Sequence, residues 1–102
     1  MKVIVAGSRE IENYNILLDA IKMSEYDIRE IISGCARGVD MLGERYAREN
    51  NIPLVKFPAN WNEFGKKAGP MRNSAMAHYC DSDIIIWNGK SSGTDNMIWK
   101  IQ

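Results

Sequence analysis

The sequence predicts an α/β fold: a Rossmann-like three-layer domain with a four-stranded parallel sheet in the order 3-2-1-4. Two observations lead to this prediction. Four short runs rich in β-branched residues punctuate the 102 residues, and patterns with helical spacing lie between them. The runs are nearly continuous in apolar residues, which is typical of parallel strands buried on both faces. Alternation of strand and helix then implies right-handed crossovers and helices on both sides of the sheet.

The strands are expected at Lys2 to Ala6, Arg29 to Ile32, Pro53 to Phe57 and Asp83 to Trp87. Two helices follow from apolar residues at helical spacing. Their stripes are Tyr14, Leu17, Leu18 and Ile21, then Val39, Leu42, Tyr46 and Ala47. A third helix is expected to begin at Pro70, because proline is tolerated at the first helical position, and a fourth near Thr94. The segment 58–69 is expected to be irregular, which in a small domain favours a functional loop or a lid.

The composition limits the class of protein. Lys and Arg total 13, as do Asp and Glu, so no global field attracts the chain to nucleic acid or to an anionic membrane. Cys35, Cys80 and His78 fall short of a zinc pattern and do not indicate a disulfide scaffold. The chain has no signal-type segment and no run of about 18 apolar residues. We therefore expect a single cytoplasmic domain over residues 1–102, without metal or cofactor.

Three strand-to-helix loops are the candidate site. In a parallel sheet such loops meet at the carboxyl edge, and ligands bind where the strand order reverses, here between strands 1 and 4. Small residues, hydroxyls and one cation make up each loop, so backbone N–H groups and a helix N-terminus are expected to approach a phosphate. Any one loop is better explained as an ordinary turn. Their convergence favours a phosphate-bearing ligand; the loops are Gly7-Ser8-Arg9, 33–38 and 88–94.

Individual residues keep alternative roles at this point. Arg9 and Arg72 fit bidentate phosphate binding. Asp40 is either a ribose ligand or an acid that complements the helix dipole, and Trp61 either stacks on a base or fastens its loop to the core. Cys35 is better explained by small size than by nucleophilic chemistry. The candidate ligand-binding residues are Gly7, Ser8, Arg9, Gly34, Ala36, Arg37, Gly38, Asp40, Trp61, Gly69, Pro70, Arg72, Asn73, Gly89, Ser92, Gly93 and Thr94.

Together these motifs resemble the SLOG superfamily, named for the DNA-uptake protein DprA (Smf) and the LOG enzymes, and within it the small YspA-like, YpsA-related branch. The resemblance implies binding of a nucleotide derivative, such as an ADP-ribose-like, NAD-like or cyclic nucleotide signal, often in conflict between bacteria and phages. The matching motifs are Gly7-Ser8-Arg9, Gly34-x-Ala36-x-Gly38-x-Asp40, Trp61 with Ala68-Gly69-Pro70-x-Arg72-Asn73-x-x-Met76, and Ser92-Gly93-Thr94.

Two departures from the relatives refine the expectation. LOG enzymes carry a catalytic glutamate three positions after a Gly-Thr pair, and this chain has Met97 there. A thioether cannot act as acid or base, so no catalytic residue is assigned. The chain also stops at Gln102, where relatives add a further strand, so strand 4 is expected to be covered in a homo-oligomer.

Three functions stay open on the sequence. The first is a binding protein that sequesters a nucleotide signal, as a phage counter-defence protein would. The second is a phosphoribohydrolase or other nucleotide hydrolase that uses Arg72 with Asp95 or Asp40. The third, binding of single-stranded DNA, is disfavoured by the neutral composition.

Overall fold

Four parallel strands form one sheet in the order β3-β2-β1-β4, which confirms the predicted topology. The computed structural model describes residues 1–87. The predicted fourth helix and the candidates Gly89, Ser92, Gly93 and Thr94 lie outside the described residues. Each strand begins and ends within one residue of its predicted bounds. The strands are β1 (Lys2–Gly7), β2 (Glu30–Ser33), β3 (Leu54–Lys56) and β4 (Ser82–Ile86).

The central strand β1 divides its side chains between two apolar cores. Val3 and Val5 pack in one core with residues of α1 (Tyr14–Ser24) and α2 (Val39–Glu49). Ile4 and Ala6 pack in the other core, which α4 (Ala68–Tyr79) covers with Met76. Because neighbouring side chains of a strand point to opposite faces, a strand apolar at every position needs a helix on each side. The three-layer architecture follows from that requirement.

The two predicted helical stripes differ in how well they match the core. Val39, Leu42 and Ala47 of α2 are buried, as expected. In α1, Leu17 is fully buried while Leu18 is exposed, so the prediction that Leu18 faces the core is wrong. One buried position with partly buried Tyr14 and Ile21 beside it is enough to dock α1, and Leu18 falls just outside that contact.

The segment 58–69 is irregular only at its start and forms helical turns from Trp61 onward, which corrects the prediction of a loop irregular throughout. A four-residue helix, α3 (Trp61–Phe64), leads through the 3₁₀ turn Gly65–Lys67 directly into α4. Asn60 caps α3: its Oδ1 accepts the N–H of Glu63 at 3.2 Å, and its Nδ2 donates to Oε2 of Glu63 at 2.9 Å. The helix predicted from Pro70 therefore begins two residues earlier. Pro70 still lies in the first turn, where a missing N–H leaves no intrahelical bond unmade.

None of the described helices combines the length and apolar character needed to cross a bilayer.

Candidate functional site

A pocket of about 350 Å³ opens at the carboxyl edge of the sheet. The loops after β1, β2 and β3 form its walls, together with one side chain of α4. The described lining lies over β1, β2 and β3. The loop after β4 lies outside the described residues, so the predicted site between strands 1 and 4 stays a prediction. The residues that line the pocket are Arg9, Gly34, Cys35, Ala36, Arg37, Pro58, Ala59, Trp61 and Arg72.

Positive charge is concentrated in this pocket. Three arginines, Arg9, Arg37 and Arg72, line it, and none of the lining residues that the structure describes is acidic. The chain as a whole has equal numbers of acidic and basic residues. An uneven distribution of charge in a neutral chain creates a local potential that attracts anions. The pocket is therefore suited to a ligand with several negative charges.

Arg72 is the most constrained of the three arginines. Its Nη1 donates to the carbonyl oxygen of Gly34, and its Nε donates to Oδ1 of Asn73 at 2.8 Å. Partial burial lowers the pKa of Arg72, while the nearby carboxylate of Asp40 acts in the opposite direction. Because an arginine keeps its proton in proteins, Arg72 presents a fixed cation to the pocket.

Gly34 allows this arrangement because it has no side chain. A Cβ atom at Gly34 would lie 2.7 Å from Nη1 of Arg72 and 3.0 Å from Oδ2 of Asp40. Such distances are shorter than van der Waals contact, so any larger residue would displace the guanidinium or the carboxylate. The first glycine of the predicted phosphate loop thus makes room for Arg72.

Two backbone N–H groups of the loop after β2 donate to side chains of the protein and do not face the pocket. The N–H of Cys35 donates to Oγ of Ser33 at 3.0 Å, and the N–H of Ala36 donates to Oδ2 of Asp40 at 3.2 Å. These two N–H groups, expected from the sequence to approach a phosphate, are used within the protein. The guanidinium groups are consequently the better anion donors in the described part of the pocket.

Two buried carboxylates lie beneath this loop. Asp40 and Glu44, one turn apart on α2, are 5% and 4% exposed. Glu44 accepts a hydrogen bond from the hydroxyl of Ser33 at 2.7 Å and lies 3.7 Å from Nζ of Lys56. Burial raises the pKa of Asp40, and its hydrogen bonds and Arg72 oppose that shift. The sequence analysis missed Glu44, although its i, i+4 spacing from Asp40 places both acids on one helix face.

Trp61 forms an exposed side of the pocket. Trp61 is 52% exposed. Its indole Cη2 lies 3.2 Å from the point that a Cβ atom at Gly69 would occupy. The ring therefore rests on the backbone of α4 at Gly69 and is not part of either core. A flat aromatic surface beside three cations suits a ligand with a planar group next to its phosphates.

The remaining candidates lie behind the pocket wall or away from it. Most of them are buried and do not line the pocket; these are Gly7, Ser8, Gly38, Asp40, Gly69 and Asn73. Pro70 is exposed and also does not line it. The sequence analysis overlooked Pro58 and Ala59, which follow β3. The rule that strand-to-helix loops share one edge applies equally to β3 and could have found them.

Cys35 is a poor nucleophile despite its place in the pocket. Burial, with a further contribution from Glu44, raises the pKa of its thiol. Lys56 and Arg72 lower the pKa of this thiol, but partial desolvation together with Glu44 and Asp40 outweighs them. Among the described residues, no group of three His, Cys, Asp or Glu side chains is arranged to hold a metal ion.

The two thiols are expected to react at different rates. Burial raises the pKa of Cys80 to about 12, and Cys80 is only partly accessible, whereas Cys35 is exposed. Because the thiolate is the reactive form, iodoacetamide at neutral pH should alkylate Cys35 well before Cys80 and more slowly than a free cysteine. Mass spectrometry of quenched samples measures both rates. Equal or inverted rates would contradict the burial seen here.

The sequence profile described as the YspA, cpYpsA-related SLOG family matches residues 1–64. The chain is also similar to the Gene 61 protein of Mycobacterium phage D29, with 30% identity over 111 aligned positions that cover 99% of this chain and 88% of that protein. No solved structure matches significantly. The profile covers β1, β2 and β3, the strands whose loops line the pocket.

Proposed function

The chain belongs to the YspA, cpYpsA-related SLOG family, and we propose that it binds a nucleotide-derived small molecule in the arginine-lined pocket. Membership of this family supports a nucleotide-related ligand. The observation that carries the proposal is the described part of the pocket, where three arginines lie next to an exposed tryptophan and no described lining residue is acidic. The phosphates of the ligand contact the arginines, and its base stacks on Trp61.

The phosphate contacts follow from guanidinium chemistry. Arg9 comes from the loop after β1, Arg37 from the loop after β2 and Arg72 from α4, so the three cations approach from three directions. Planar guanidinium groups bind phosphate oxygens in pairs, and charge-assisted hydrogen bonds are about twice as strong as neutral ones. A ligand with two or more phosphate charges satisfies all three arginines.

The size and the apolar side of the pocket fit the rest of such a ligand. A volume of about 350 Å³ lies at the lower end of what small-molecule sites provide, about 300–1,000 Å³. Pro58, Ala59 and Trp61 supply the apolar contacts. A nucleoside phosphate, an ADP-ribose-like or NAD-like molecule or a cyclic nucleotide combines the required charge with a planar base.

Sequestration without turnover is the form of this function that we favour. The described lining contains no carboxylate and no histidine, and the thiol of Cys35 has a raised pKa. Asp40, the described acid proposed as a partner of Arg72 in hydrolysis, is buried and accepts the N–H of Ala36. Similarity to a protein of a mycobacterial phage supports a role in the host cytoplasm, where binding a host nucleotide signal would counter defence.

The direct test is a thermal-shift and calorimetry panel with AMP, ADP, ADP-ribose, NAD, cyclic AMP and cyclic dinucleotides. A ligand present at 100 times its Kd should stabilise the protein by about 2.7 kcal/mol. Absence of any shift across the panel would contradict the proposal. Recovery of intact ligand after heat denaturation supports sequestration, whereas free base or linearised product indicates a hydrolase. Native mass spectrometry of the same samples tests the expected homo-oligomer.

Trp61 is expected to report on binding and to contribute to it. Stacking of a base on an aromatic ring contributes about 1–3 kcal/mol, so Trp61→Ala should weaken nucleotide binding by about 5- to 150-fold. Trp61→Phe, which keeps a smaller ring, should retain most of the affinity. Calorimetry with AMP measures both, and Met23→Ala, which removes an exposed apolar side chain near the end of α1, is the control. Equal affinity of Trp61→Ala and wild type would remove Trp61 from the site.

A further inference from the structure

Asp40 accepts hydrogen bonds from the end of β1 and from the loop after β2. Its Oδ2 accepts the N–H of Ala36 at 3.2 Å, in the loop after β2. Its carboxylate also accepts a hydrogen bond from the backbone of Gly7, at the end of β1. With 5% of its surface exposed, Asp40 lies behind the pocket wall and not in the lining. A ligand in the pocket therefore meets the loops that Asp40 holds, and not Asp40 itself.

Asp40 also faces Arg72. The point where a Cβ atom of Gly34 would lie is 3.0 Å from Oδ2 of Asp40 and 2.7 Å from Nη1 of Arg72, so the two charged groups approach each other across this glycine. Each group shifts the pKa of the other toward the charged form. The hydrogen-bond partners of Arg72, the carbonyl of Gly34 and the amide of Asn73, are neutral. Asp40 is the neighbouring group that most strongly stabilises the charged guanidinium of Arg72 and so raises its pKa.

We propose that Asp40 is a positioning residue for the anion site: it acts on the ligand only through Arg72, whose guanidinium it holds beside Gly34 and at the pocket. This inference rests on the proposed function. Without the carboxylate, a half-buried cation with only neutral partners is less favourable, and a long arginine side chain gains by turning toward water. The cation that contacts the phosphate would then lose its fixed orientation.

Glu44 provides a matched control on the same helix face. It is as buried as Asp40, but its partners are the hydroxyl of Ser33 and the ammonium of Lys56. Replacement of Glu44 by glutamine removes a buried charge one turn away from Asp40 and leaves the contacts of Arg72 in place. General destabilisation of α2 should therefore appear in both variants, whereas an effect transmitted by Arg72 should appear only for Asp40→Asn.

A double-mutant cycle tests the coupling, with AMP as the probe and calorimetric Kd as the readout. Asp40→Asn should weaken binding about tenfold in the wild-type background and less than about twofold in Arg72→Ala, because Asp40 has no guanidinium to position there. Glu44→Gln should change Kd by the same factor in both backgrounds. Equal losses for Asp40→Asn in both backgrounds would overturn the proposal. Should Asp40→Asn fail to unfold cooperatively, Asp40→Ser, which keeps an acceptor for Ala36, replaces it.

A second arm needs no ligand, which separates this inference from the proposed function. In ¹⁵N-edited spectra, the Nε–H of Arg72, bonded to Asn73 at 2.8 Å, should exchange with water at least about tenfold faster in Asp40→Asn than in wild type or Glu44→Gln. Unchanged exchange would overturn the positioning role, whether or not AMP binds. Faster exchange in a protein that binds no probe supports the role of Asp40 and rejects the proposed function.

Discussion

Replacement of Arg72 by alanine is expected to weaken nucleotide binding by about 100-fold, equivalent to about 2.8 kcal/mol. Arg72 is the half-buried, fixed cation of the pocket, with Nε and Nη1 bonded to Asn73 and Gly34. An arginine already held in place loses little conformational entropy when a phosphate binds, so its contacts contribute more than those of a freely rotating side chain. Arg9 and Arg37 are exposed, and alanine at either should cost less.

Arg29→Ala is the control for charge. Arg29 precedes β2 at the opposite edge of the sheet and pairs with Asp27 at 3.0 Å on the surface. Both variants lower the net charge by one, so a long-range effect on an anionic ligand would appear in each. Calorimetry with AMP or ADP-ribose at fixed ionic strength compares them, with circular dichroism to confirm folding. Equal affinities of Arg72→Ala and wild type would show that the anion binds elsewhere.

Arg72→Lys separates charge from geometry. Lysine keeps the cation but cannot make the parallel pair of hydrogen bonds that a guanidinium makes with phosphate. We expect it to lose about tenfold in affinity, between wild type and alanine. Full affinity in the lysine variant would mean that only the charge at this position matters.

The sheet could be predicted because burial on two faces leaves a direct mark on the sequence. Val3, Ile4 and Val5 are apolar in succession because helices cover both sides of β1. The strand order follows from the alternation of elements and the handedness of crossovers. Arg9, Ala36 and Arg72 could be placed at one edge for the same reason, since topology fixes where strand-to-helix loops emerge.

The details of the pocket depend on side-chain contacts that no pattern of small residues reveals. Glycine and alanine indicate that a backbone can approach an anion, but Ser33 and Asp40 decide which way the N–H groups point, and here they point inward. The helical turn at Trp61 did leave a local signal, because Asn60 and Glu63 have the spacing of a capping box. The prediction of an irregular segment did not use that spacing.

The largest effect on stability is expected for Gly38→Ala, with a loss of at least about 4 kcal/mol in the free energy of unfolding. Gly38 has φ +74° and ψ −126°, a conformation that residues with a side chain rarely adopt. Its Cβ atom would lie 2.2 Å from the carbonyl oxygen of Ser8, which is backbone and cannot rotate aside. That same oxygen accepts the N–H of Val39 at 3.3 Å, so moving it also disturbs the start of α2.

Gly65→Ala supplies the control, because it separates strain from collision. Gly65 has nearly the same backbone conformation, φ +57° and ψ −134°, yet nothing lies within 4 Å of an added Cβ atom. Alanine there should cost only the strain, about 1–3 kcal/mol. Urea unfolding of both variants isolates the steric contribution as their difference, expected to be at least about 1 kcal/mol. Equal losses in the two variants would mean that the loop after β1 moves aside to accept the added Cβ atom. The pocket needs both loops fixed, because they hold Arg9 near Arg37. It would then lack a rigid wall.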